Sequence, residues 1–119
     1  MRKKAVDYFL NGGLNCAQAT MQAYQDEYGI EDESQVDALF AMGRGRAEGE
    51  VCGALYAAKK VLDPIQAQKI HTDFIKYVET VVCWQIRAQD KISCAACVDL
   101  TAQLLQRELK ANCEMKSVG

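Results

Sequence analysis

A single proline, Pro64, stands in a chain of 119 residues. No stretch alternates apolar with polar residues as a half-buried strand requires. Apolar side chains recur instead at three and four residues over several segments, the spacing that lines one face of an α-helix. These facts constrain the fold most: the chain reads as all-α, a compact bundle of about five to six helices. Its length suffices for one hydrophobic core and is short for two, so residues 1–119 are read as a single helical domain.

Caps and breakers set the expected limits. A first helix over residues 3–10 carries Val6, Phe9 and Leu10 on one face and stops at Asn11-Gly12-Gly13. Asn15 caps a second, which carries Met21, Tyr24 and Tyr28 and ends at Gly29. Ser34 with Asp37 resembles a capping box and opens a short third helix bearing Val36, Leu39 and Phe40. A loop with Gly43, Gly45 and Gly49 follows, and a fourth helix begins near Glu50. It must end by Asp63-Pro64, because proline disfavours the helical conformation in the residue before it, and the same pair starts the fifth helix. There Ile70, Phe74, Tyr77 and Val81 form one stripe, with Ile75, Val78 and Val82 beside it. So wide an apolar surface predicts the most buried helix of the bundle, running on to Cys83. Ser93 caps a sixth helix with Val98, Ala102, Leu105 and Leu109 inward, and residues 112–119 are expected to form a loose tail.

Charge excludes some function classes. The net charge of −2 and the absence of a basic block argue against nucleic acid. The clusters Arg2-Lys3-Lys4 and Arg44/Arg46 are short and read as solvated, the second being a candidate anion site. Asp7 and Asn11-Gly12-Gly13 interrupt any signal-like apolar region, and no run of about 18 apolar residues exists. A cytoplasmic protein with no membrane insertion is therefore expected. In a reducing compartment six cysteines point to metal binding or redox chemistry and not to a disulfide framework.

The expected helix limits give these cysteines a pattern. Cys16 follows the cap Asn15, Cys52 lies in the first turn after the glycine loop, and Cys94 follows the cap Ser93. A helix start favours negative charge, so a thiolate there is stabilised, and a thiolate is both the nucleophile in disulfide exchange and a ligand for soft metals. Cys94 and Cys97 form a C-x-x-C pair across one turn. Cys83, between Val82 and Trp84, taken alone reads as a small buried hydrophobe, Cys113 as an exposed tail residue, and His71 as a core-edge histidine or a base for thiol chemistry. Gly49 and Gly53 are candidate cofactor-binding positions, where the backbone could approach a bound group.

Together these stretches resemble the bacterial and archaeal C_GCAxxG_C_C family, whose members are described as redox-active. The chain shows LNCAQA at residues 14–19, GRGRAEGEVCGALYA at 43–57, then Cys83, then CAACVDLTAQLL from 94 to 105. Ala57 stands where the CGAxxG motif ends in glycine, and Cys97 is additional. The resemblance implies that Cys16, Cys52, Cys83 and Cys94 are the family cysteines, with a redox partner or a transporter-associated protein as partner.

Three readings stay open at this point. In the first, Cys16, Cys52, Cys83 and Cys94, with Cys97, carry reversible thiol/disulfide chemistry, Cys52 attacking and Cys16 or Cys94 resolving. In the second, Cys16, Cys52, Cys83 and Cys94 ligate zinc or an iron-sulfur cluster. In the third, the cysteines only pack within a helical interaction module. Wide apolar stripes on short helices are compatible with a homodimer.

Overall fold

The computed structural model describes residues 1–42, 51–89 and 91–118, the side chains of 112–118 excepted. The glycine loop from Gly43 to Gly49, with Arg44, Arg46 and Glu50, therefore lies outside the described residues, as does the Cys113 side chain.

Seven α-helices follow one another among the described residues: α1 (Arg2–Asn11), α2 (Cys16–Tyr28), α3 (Glu33–Asp37), α4 (Gly53–Lys60), α5 (Pro64–Val78), α6 (Cys83–Gln89) and α7 (Cys94–Val118). A 3-10 turn, Phe40–Met42, follows α3. The all-α expectation holds, with one or two helices more than the apolar spacing suggested.

The extra helix arises where the expected fifth helix breaks. Glu79 adopts φ 76°, the left-handed conformation, and its N–H closes the last turn of α5 on the Ile75 carbonyl. Left-handed backbone ends a helix, and glycine usually supplies it, so the apolar run of residues 75–82 hides this stop. The chain then crosses at Thr80–Val82 and restarts as α6 with Cys83 as its first residue. Cys83 is thus a helix start and not a late residue of a long helix.

Packing assigns the centre differently from the apolar stripes. α5 buries only Ile70, Phe74 and Val78, a single row of residues four apart, while Tyr77 is 70% exposed and Ile75 is also open. The short α4 is enclosed instead, burying Gly53, Ala54, Leu55, Ala57 and Ala58. Its small side chains let neighbouring helices approach closely on more than one side. α2 packs on α1, α4 and α7, and α7 on α1, α2, α4 and α5. The core that results contains three of the thiols, Cys16, Cys52 and Cys97, beside Leu55, Ile70, Phe74, Val98 and Leu105.

Two further limits move. The third helix is capped by Asp32, whose side chain accepts from the Gln35 N–H, and Ser34 donates its hydroxyl to that carboxylate. A carboxylate is the stronger acceptor, so it takes the cap two residues before Ser34. The last helix continues to Val118, past the point where the sequence suggests a loose tail. The α5–α7 seam carries ion pairs from Asp73 to Arg107 and from Lys69 to the buried Glu108. None of the described helices is long and apolar enough to cross a membrane.

Candidate cysteine site

Four local devices deliver the cysteines to one place. Asn15 caps α2 reciprocally: its side chain accepts the Gln18 N–H at 2.8 Å, and the Gln18 side chain accepts the Asn15 N–H at 3.2 Å. This fixes Cys16 as the first residue of the helix. Cys52 is itself the cap residue of α4. Its N–H donates to the Val81 carbonyl at 2.7 Å, and Val51 pairs with Val82 in an isolated antiparallel bridge. That bridge ties the approach to Cys52 to the segment leading into Cys83. Thr80 steadies the same segment, accepting the Val82 N–H and donating its hydroxyl to Gln85. At α7 the Ala96 N–H donates to Ser93 Oγ, so Ser93 caps as the sequence predicts and Cys94 follows it.

The result is a pocket of about 490 Å³ whose wall includes Cys16, Cys52, Cys83, Cys94 and Cys97. Phe9, Leu14, Phe40 and Ile86 supply its apolar surface, and Asn15 and Gln18 its neutral polar groups. None of the five cysteines is in a disulfide; four are buried, and Cys94 is half-buried. Gly53 begins α4 directly behind Cys52 and is not on the pocket wall. Gly49 falls outside the described residues. His71 is also elsewhere: its Nδ1 lies 3.0 Å from Lys59 Nζ, and burial together with that cation holds its pKa below the ordinary value.

The thiols are not equivalent. Cys52 and Cys97 are hydrogen-bonded to each other. The bond from Cys52 lowers the Cys97 pKa, while the same bond, reinforced by burial, pushes Cys52 well above the ordinary thiol value. Of the two, Cys97 is therefore the thiol that gives up its proton more readily, and Cys52 the one that keeps it. The Ala54 and Leu55 amides favour the Cys52 thiolate but do not prevail. This reverses the expectation that Cys52 is the activated thiol: the helix start does act on it, yet burial and its neighbour act more strongly. Cys83 is raised too, by burial first and then by the neighbouring charge of Cys52.

Arg87 escaped the sequence reading. Among the described residues it is the only cationic side chain on the pocket wall, and its guanidinium donates to the Cys94 sulfur, an interaction that raises its own pKa. The signal was its position four residues after Cys83, which puts both on one face of α6. It becomes visible only once Cys83 is read as a helix start.

Residues 14–113 match the model of a family described as "Putative redox-active protein (C_GCAxxG_C_C)". The chain belongs to the C_GCAxxG_C_C family. No curated protein and no solved structure matches it. Five thiols give this C_GCAxxG_C_C protein a donor set chemically suited to a soft metal. Among the described residues, however, no group of three Cys, His, Asp or Glu side chains is arranged to hold an ion, so zinc or a cluster finds the donor type here without the geometry.

Proposed function

We propose that this C_GCAxxG_C_C protein exchanges thiols for disulfides, with Cys52 and Cys97 as the redox couple and Cys94 as the entry thiol. One observation carries the reading: the two thiols in mutual contact are buried, and the more exposed thiol of the same pocket is one helical turn from Cys97.

Deprotonated Cys94 attacks one sulfur of an external disulfide, whose S–S bond breaks and releases one thiolate. Cys97 then attacks the Cys94 sulfur and expels the second half of the substrate, leaving a Cys94–Cys97 disulfide. Cys52 gives its proton to a departing thiolate and attacks Cys97, which returns Cys94 to its starting state. Two electrons have passed from the Cys52/Cys97 pair to the substrate, which leaves as one thiol and one thiolate. An external thiol reverses the sequence. Cys16 and Cys83 line the same pocket and flank the couple.

The test uses full-length protein purified without oxygen, assayed for metals, reduced, and treated with bis(2-hydroxyethyl) disulfide before peptide mapping. The expected products are a Cys52–Cys97 disulfide in the native chain, a Cys94–Cys97 disulfide in C52S and a mixed disulfide trapped on Cys94 in C97S. An unchanged thiol count refutes the reading, and stoichiometric zinc or iron with masked thiols replaces it by the metal-site alternative.

A further inference from the structure

We infer that the pocket takes a small disulfide bearing a negative charge, and that Arg87 selects it. The inference rests on the exchange reading above and names its substrate class.

Size favours a small molecule. The pocket's volume of about 490 Å³ lies within the range of roughly 300–1,000 Å³ usual for small-ligand sites. The couple it serves is deeply placed, Cys52 being 6% and Cys97 2% exposed. Apolar side chains from α1, the α1–α2 connection, the 3-10 turn and α6 (Phe9, Leu14, Phe40 and Ile86) enclose it.

Charge selects within that class. Arg87 is exposed, so it stands at the mouth, and among the described residues no other lining side chain is cationic. A guanidinium has five N–H donors in a planar fork, and one contact to the Cys94 sulfur leaves donors for a carboxylate or phosphate. An anion seated on those donors holds its own sulfur close to Cys94, because the same group touches both. A cationic disulfide meets a like charge at the entrance and apolar walls beyond it.

Three disulfides of similar size test this on the full-length protein: dithiodiglycolate (anionic), bis(2-hydroxyethyl) disulfide (neutral) and cystamine (cationic). Each rate is normalised to the reaction of that disulfide with free dithiothreitol. The wild-type protein is expected to prefer the anion over the cation by about tenfold, the effect of one charge-assisted hydrogen bond. R87Q should slow all three, since it also loses the contact to Cys94, but the anion-to-cation ratio should fall towards one, and R87K should restore part of it. An unchanged ratio in R87Q, a preference for cystamine, or faster reduction of insulin than of any small disulfide overturns the substrate class while leaving exchange intact. No reaction with any disulfide, in wild type and C94S alike, removes the exchange reading itself.

Discussion

Replacing Glu79 by glycine and, separately, by alanine sends stability in opposite directions depending on whether α5 stops there. In a continuous exposed helix, glycine is worse than alanine by about 1 kcal/mol. At φ 76° the order reverses. A residue with a β-carbon pays about 1–2 kcal/mol there, against about 0.5–1 kcal/mol for the extra freedom glycine loses on folding. Glu79 also reaches Lys91 at 3.8 Å, but both side chains are exposed and both variants lose the pair equally. E79G should therefore exceed E79A by about 0.5–1 kcal/mol, a swing of about 1.5–2 kcal/mol from the continuous-helix expectation. Urea unfolding resolves this: at about 1–2 kcal/mol/M the glycine midpoint lies some 0.3–1 M higher. An alanine variant more stable than the glycine one would refute the break, and with it the placement of Cys83 as a helix start.

Two other perturbations bear on the scaffold. N15A removes the cap of α2 and the bond from Asn15 Nδ2 to the Phe40 carbonyl at 2.9 Å. It should cost about 1–2 kcal/mol by thermal unfolding and raise the alkylation rate of Cys16; no change in either contradicts the capping role. Acid stability reports on Asp73, whose carboxyl the Arg107 guanidinium holds below the ordinary carboxylate range. Because the folded value is depressed, its contribution is present above an unfolded pKa of about 4 and lost as pH falls through the lower folded value. D73N should flatten the fall in melting temperature between about pH 5 and 2, and parallel curves for the two proteins would dismiss the pair as a contributor.

The helical class was legible in the spacing of apolar residues, and the starts of α2, α5 and α7 were legible at Asn15, Asp63-Pro64 and Ser93, because those caps act through one side chain and its own backbone. Two of the cysteine positions, Cys16 and Cys94, followed from these starts. What the sequence hid is equally specific. Glu79 carries a left-handed turn that no glycine announces, so α5 and α6 read as one helix and Cys83 and Arg87 lost their context. The contact between Cys52 and Cys97 is purely tertiary, made by α4 and α7, and it inverts the order of thiol acidity that helix starts alone predict. Central position was assigned to the most apolar helix, yet enclosure went to α4, whose alanines and Gly53 let partners close around it.

The couple proposed from Cys52 and Cys97 would also link oxidation to folding. A bond between them closes a loop of about 45 residues, and on chain-entropy grounds such a cross-link removes about 4 kcal/mol of freedom from the unfolded chain. The same cycle read the other way says that the folded chain draws its own disulfide together by that amount, about 85 mV in the potential of a two-electron couple. A cell that oxidises this protein would tighten it against unfolding and proteolysis, and one that reduces it would loosen it. Turnover of the chain would then follow the redox poise around it.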